Sequence, residues 1–294
     1  MKGKGLQGVL LIVLASIAWS FAGVLSKWAP WGAYSLIGGR ALVATLIYAA
    51  VRGGFKVRTS GATWLGALGV MTTSALFIVA NKMTTAANAI VLQYAAPIAV
   101  ILLCWIFYGQ RPGRVDILAA VIAMAGVVLC FAGGLAAGSL VGDALALLSA
   151  FTFGLVFFAA RMQGTSAMDY TYLGTLMCCG FLVFIPFDSQ VVFTPQVLLV
   201  VLAMGTCLAV GYICFSKGMA LGVQPVTAAI VANVEPVLNP FWVFLAVGEK
   251  PGALTLLGAA LVLLSVTAYS ILKSRQTAAL AQEKAQAASS GGAG

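Results

Sequence analysis

Charge is what this 294-residue chain has least of: Asp, Glu, Lys and Arg make up 8% of it, against about a quarter in a soluble domain. So few charged residues cannot clothe a chain of this length in a water-facing surface, and nucleic-acid binding is excluded with it. Histidine is absent altogether, which removes the commonest metal ligand, general base and proton shuttle. The acids number seven, namely Asp116, Asp143, Asp169, Asp188, Glu235, Glu249 and Glu283, and only Glu235 falls in the middle of an apolar run. No two of them are placed to share a metal or divide acid and base roles, so hydrolase and metalloprotease chemistry is not expected. The six cysteines (Cys104, Cys130, Cys178, Cys179, Cys207 and Cys214) lie inside apolar runs with no C-x-x-C spacing. They read as small packing residues, not as disulfides or zinc ligands. The chain is expected to be no enzyme and to hold no metal or cofactor.

What is present is hydrophobic: 62% of the residues, with a mean hydropathy of +1.06. A bilayer core about 30 Å thick needs about 20 mostly apolar residues in a helix. Ten runs of that kind can be read, at 6–28, 33–51, 62–82, 86–108, 115–133, 140–161, 170–186, 196–217, 225–247 and 252–273. The stretch 10–18 behind Lys2 and Lys4 imitates a secretory signal, but nine further spans make it simplest to keep the first. The fold class expected is therefore all-α integral membrane protein with ten transmembrane helices. Short loops leave no room for an extramembrane domain. The Ala-, Gln- and Gly-rich stretch 274–294 reads as a disordered tail.

Orientation follows from the basic residues that flank the spans. One face collects Lys2, Lys4, Arg52, Lys56, Arg58, Arg111, Arg114, Arg161, Lys217, Lys273, Arg275 and Lys284, and the other only Lys27, Lys82 and Lys250. Twelve against three puts both termini in the cytoplasm. Arg40 lies within a span.

The sequence also repeats itself. Gly109, Gln110, Arg111, Pro112 and Gly113 correspond to Gly248, Glu249, Lys250, Pro251 and Gly252 at an offset of 139. At the same offset Ala89 meets Ala228 and Pro97 meets Pro236. Offsets of 135 and 134 align Lys82 with Lys217, Phe77 with Tyr212, Lys27 with Arg161 and Trp19 with Phe153. Two five-span units result, 1–134 and 139–273. Five is odd, so the second enters the membrane inverted, an architecture of secondary transporters whose substrate sits near the midplane where the halves meet.

On these paired motifs (Ala96-Pro97 with Gly109-Gln-Arg-Pro, Glu235-Pro236 with Gly248-Glu-Lys-Pro, and Gly39-Arg40 in the second span) the chain resembles the drug/metabolite transporter superfamily, in its ten-span branch with two EamA-type repeats. Within that branch it looks most like the YddG-type exporters of aromatic and other amino acids. The resemblance implies a core of spans 1–4 and 6–9 with spans 5 and 10 at the periphery. It also implies a multi-pass protein of the bacterial cytoplasmic (inner) membrane, working as a monomer, with a small-molecule substrate and the lipid bilayer as its partners. Amino acids, aromatic ones included, are the expected cargo; hydrophobic or cationic drugs or nucleobase-like metabolites are the alternative. Related small multidrug exporters carry a proton-exchanging acid in the first span. This first span has none, so facilitated export down the substrate gradient is expected.

Ionisable residues within a membrane are functional candidates by default. Lys27, Arg161, Lys82 and Lys217 recur between repeats at helix C-terminal ends, where a cation meets the macrodipole and can snorkel, and they read as structural anchors. Glu235 has Ala96 as its counterpart and stands before Pro236; it suits a substrate ammonium group, or else an internal tie to a neighbouring helix. Arg40 suits a substrate carboxylate, or else the capping of backbone carbonyls between spans. Trp19, Phe153, Tyr94 and Tyr212, with Ser20, Gln93 and Asn233, supply the aromatic walls and few polar groups that a ligand site needs. Trp28, Trp31 and Trp64 read as interfacial belt residues. Pro97 and Pro236, at matched depths, mark candidate hinges.

Overall fold

The computed structural model describes residues 2–84, 86–132, 139–247 and 252–290. The second-repeat motif from Gly248 to Pro251 and the boundary between the repeats at 133–138 lie outside the described residues. So do the side chains of Lys27, Lys82, Cys130, Glu283 and Lys284. In chain order the helices are α1 (Lys2–Trp28), α2 (Ala33–Arg52), α3 (Gly61–Met83), α4 (Ala86–Gln93), α5 (Ala96–Tyr108), α6 (Arg114–Phe131), α7 (Leu140–Ala159), α8 (Ala167–Cys178), α9 (Pro195–Ala220), α10 (Pro225–Ala232), α11 (Val234–Val247) and α12 (Ala253–Ser290). A 3-10 segment, Cys179–Phe187, continues α8. No strand occurs among the described residues.

Local chemistry starts these helices where it should. The Ser60, Ser139 and Thr194 hydroxyls accept from the amides of Thr63, Gly142 and Val197, and Pro195 opens α9 where its missing N–H costs nothing. Eight helical runs are long and apolar enough to cross a bilayer. Large side chains such as Leu46, Phe107, Leu147, Leu199 and Leu264 stand exposed along them. In water that surface would be prohibitive, and in hydrocarbon it is the natural exterior. The molecule is a multi-pass membrane protein. Of the ten runs read from the sequence, those at 115–133 and 225–247 are outside the eight; they correspond to α6 and to the pair α10 and α11.

Four elements differ from a plain reading of the hydrophobic runs. The fourth and ninth runs are each two helices, α4 with α5 and α10 with α11, broken at Tyr94 and Ala95 and at Asn233. Pro97 and Pro236 lie in the first turn of the second member, where a missing N–H is harmless. The expected bend is thus a break, one turn earlier than the prolines themselves. The seventh run is α-helical only to Cys178. Beyond it the 3-10 backbone lies so close to α2 that a Cβ on Gly38 would meet the Leu182 amide nitrogen at 2.6 Å. Lastly, α12 runs on to Ser290, where the composition had been read as a disordered tail. Its Ala, Gln, Glu and Lys residues are strong helix formers, and the charge-poor composition does not override that.

Packing is reciprocal between the halves. α1 lies along α9 and α3 along α7; α2 packs on α9 as α3 packs on α8; α1 meets α11 as α7 meets α5. Exchanging the halves maps each contact onto its partner, and α6 and α12, related by the same exchange, pack against each other. This is a two-repeat architecture in which neither half has a core of its own. Most of the central helices contribute to one contiguous buried cluster that includes Trp19, Tyr94, Phe153, Tyr212 and Phe215.

A buried hydroxyl triangle ties α2, α8 and α9 together. Tyr48 Oη lies 2.7 Å from Thr171 Oγ1 and 3.2 Å from Ser216 Oγ, and the last two are 3.1 Å apart. Interhelical hydrogen bonds in membranes contribute about 0.6 kcal/mol on average and up to about 1.7. Thr171→Val, which keeps the shape and deletes two edges of the triangle, should therefore cost about 1 kcal/mol of stability. Unfolding in mixed micelles measures this, and an unchanged midpoint would show the triangle to be energetically idle.

Candidate functional site

The centre of the molecule is built around Trp19 of α1. Its indole stands edge-on to Tyr212 of α9, with ring centroids 5.3 Å apart, and to Phe153 of α7 at 6.0 Å. Phe215 is 6.1 Å away, and Phe157 links Phe153 to Phe215 at 4.9 and 5.3 Å. The repeat-related pair Trp19 and Phe153 thus meets in space. Room for the indole comes from Gly211, because a Cβ there would run into the Trp19 Nε1 and Cδ1 atoms. Trp19 is 8% exposed and its Nε1 has no hydrogen-bond partner in the structure. An indole N–H left so in an apolar setting costs free energy, and a ligand acceptor would satisfy it.

A second group is polar. The Tyr94 hydroxyl, at the break between α4 and α5, lies close enough to the carboxyl group of Glu235, in the first turn of α11, for the two to interact. The two broken helices thereby meet through the residues beside their breaks. Glu235 keeps some accessible surface whereas Tyr94 is buried. Asn233, at the other break, is buried; its amide donates to the Ala229 and Ile230 carbonyls at 3.2 Å each, and its Oδ1 has no partner. Gln93 is buried as well. The helix breaks free backbone groups and put amide side chains at the same depth, which is how unwound membrane helices present polar contacts to a cavity.

Arg40 of α2 closes the third side. Its Nη2 donates to Ser74 Oγ at 2.6 Å, and its Nε has no partner although the residue is 8% exposed. Cys178 and Tyr212 are its electrostatic neighbours, and Tyr212 also lies within reach of Glu235. The phenol of Tyr212 therefore has one cation and one acid among its electrostatic neighbours, with the Trp19 ring against its flank. Among the described residues Arg40 forms no ion pair; the two that occur are Arg52 with Asp169 at 2.6 Å and Lys273 with Asp116 at 2.8 Å.

Of the residues singled out from the sequence, Trp19 is in ring contact with both Phe153 and Tyr212, and Tyr94 neighbours Glu235. Ser20 differs: its hydroxyl accepts from Trp242 Nε1 at 2.7 Å and donates to the Ile17 carbonyl at 2.7 Å, so it is engaged within the protein. Trp31 also differs. It is 3% exposed, donates through Nε1 to the Val192 carbonyl at 3.0 Å and packs on Phe193, so it is an interior residue and not part of an interfacial belt. Trp28 and Trp64 are exposed. Arg161 is exposed at the end of α7 and bridges two loops through Gln110 and Gln224. Phe215, Trp242 and Gly211 were not picked out, because nothing in one sequence distinguishes them from the other apolar and small residues of their helices.

With that arrangement in view, the comparisons are decisive about the family. The EamA-like transporter family matches the chain twice, over residues 6–132 and 140–271. The chain belongs to that family. EamA-like proteins are transporters and not enzymes, so this family member is a membrane transporter. A solved structure, titled only as the crystal structure of a protein, is similar with a TM-score of 0.76, covering 91% of this chain and 98% of that one at 20% sequence identity. At that identity the likeness concerns the fold alone. No curated protein sequence matches the chain.

Proposed function

We propose that this EamA-like transporter exports small zwitterionic metabolites, most naturally amino acids with aromatic ones among them, from the cytoplasm of a bacterial cell across its inner membrane. The observation that carries the reading is the surrounding of Tyr212: the Trp19 ring packs against it, and Arg40 and Glu235 are both among its electrostatic neighbours. A cation, an acid and an aromatic wall are the complements of a carboxylate, an ammonium group and a large side chain. In this reading the chain spans the membrane ten times as two inverted repeats. α6 and α12 are peripheral, and both termini are cytoplasmic, as the distribution of Lys and Arg favours. The breaks beside Pro97 and Pro236 then serve as paired hinges, since each leaves a place where two half-helices can move apart during alternating access. The protein acts as a monomer in facilitated export. A hydrophobic or cationic drug, or a nucleobase-like metabolite, would use the aromatic wall and Glu235 but not Arg40.

Efflux from proteoliposomes loaded with single labelled compounds tests this. Large apolar and aromatic amino acids should leave at least tenfold faster than from empty vesicles. Trp19→Ala should slow tryptophan and phenylalanine several-fold more than alanine or glycine, because only large side chains reach the wall. Equal slowing for all four, or efflux of cationic dyes without any amino acid, would exclude the amino-acid reading.

A further inference from the structure

Away from the central site, a cavity of about 430 Å3 opens at the end of the molecule that carries most of its cations. Its walls come from α5, the α5–α6 loop, and the beginnings or ends of α6, α10 and α12. Its upper rim is polar: Gln110, Arg111, Gln224, Lys273 and Gln276. Its floor is apolar, with Ile101 and Cys104 buried beneath. Asp116 lines it too, but that carboxylate is already engaged within the protein. It accepts from Tyr269 Oη at 2.7 Å, pairs with Lys273 Nζ at 2.8 Å and takes the Gly113 amide at 2.9 Å. Arg161 stands beside the rim, donating to the carbonyl oxygens of Gln110 and of Gln224 at 3.2 Å, and its guanidinium lies 5.1 Å from the Tyr108 ring centre. None of these partners is an acid. Lys273 and the one lining carboxylate are thus committed to each other, and two guanidinium groups remain, Arg111 in the lining and Arg161 beside it.

We infer that this cavity binds a phosphate-bearing anion, and specifically the headgroup of an anionic phospholipid. A planar guanidinium with amide and hydroxyl donors around it matches phosphate oxygens, and basic pockets between transmembrane helices are a recurrent site for such headgroups. The choice of a lipid comes from what borders the cavity. Two of the helices that wall it carry exposed apolar side chains, Leu102, Ile106 and Phe107 on α5 and Ile117, Leu118 and Val121 on α6. A soluble anion has no use for that apolar flank, whereas acyl chains cover it while the headgroup enters the polar rim. Because α5 and α10 are the half-helices beside the two breaks, a lipid here would brace them. The inference does not depend on what the central site transports.

Native mass spectrometry of the whole protein, released from detergent micelles, tests the site directly. With phosphatidylglycerol added, the wild type should retain one more lipid than Arg111→Gln/Arg161→Gln at equal lipid concentration, with about tenfold weaker retention in the variant. Phosphatidylcholine should show no such difference. Arms with glycerol phosphate and inorganic phosphate distinguish the source: failure of both to displace the lipid at millimolar concentration supports a lipid site. Displacement by phosphate with no lipid retained would keep the anion site and assign it to a soluble ligand. Lipid retention that is equal in wild type and double variant overturns the inference. Should the double variant fold poorly, Arg111→Lys, which keeps charge and loses the planar fork, should give an intermediate retention.

Discussion

Gly211→Ala is expected to stop transport almost completely while leaving the protein in the membrane. The added methyl group would fall on the pyrrole edge of Trp19, and that edge has nowhere to go, because Tyr212, Phe153 and Phe215 surround the ring. Either the indole leaves its rotamer or α9 moves off α1, and the two helices pack along one another over much of their length. Overpacking of a filled core costs about 1–3 kcal/mol, which lowers the thermal midpoint. Function suffers more, because the displaced ring is itself the wall of the candidate site; a loss of at least tenfold in efflux rate is expected. Gly180→Ala is the control, since a Cβ there meets nothing within 4 Å, and it should change neither property. Combining Gly211→Ala with Trp19→Phe should recover most of the lost stability, and the size of that recovery measures the contact itself. If Gly211→Ala transports normally at an unchanged midpoint, the tight fit of Trp19 against α9 has no functional meaning.

Much of this architecture was legible because lipid simplifies the problem. A bilayer demands long apolar helices, so runs such as 33–51 and 140–161 reappear as α2 and α7 with nearly the same ends. The motif repeat made Trp19 and Phe153 equivalent before any coordinates, and they prove to be in contact. Three-dimensional proximity of residues from unrelated positions was not legible. Tyr94 and Glu235 are aligned with Asn233 and Ala96 and have no reason in the sequence to meet, yet they are neighbours where the two broken helices approach. Backbone form was hidden for a related reason. An apolar run looks the same whether it is one helix, two helices or a helix ending in a 3-10 segment, and what decides is the neighbour, as at Gly38 against Leu182. Trp31 misled because a tryptophan near a loop usually marks the interface, whereas here the loop following the 3-10 segment supplies an acceptor and folds over it.

Glu235→Gln should produce the largest change in specificity. Glutamine keeps the size and the side-chain carbonyl, so the Tyr94 hydroxyl retains a polar neighbour and the junction of α4–α5 with α11 retains its shape. What disappears is the group able to carry a negative charge opposite a substrate ammonium. A hydrogen bond to a charged group contributes about 1.5–3 kcal/mol, and each 1.4 kcal/mol is tenfold in affinity, so the apparent KM for amino acids should rise by about 10- to 100-fold. The corresponding acids without the amino group should be unaffected or even transported better, and that contrast separates loss of an ammonium contact from general damage. Glu235→Ala should do worse for both classes, since it also removes the polar neighbour of the buried Tyr94. The same variant tests coupling. The first span contains no acid and the chain no histidine, so a proton relay would have to run through Glu235. Facilitated export predicts no proton movement accompanying substrate in wild-type vesicles at zero potential. Substrate-dependent acidification that disappears in Glu235→Gln would instead make Glu235 the coupling site, and an unchanged KM with unchanged selectivity would remove it from the substrate site altogether.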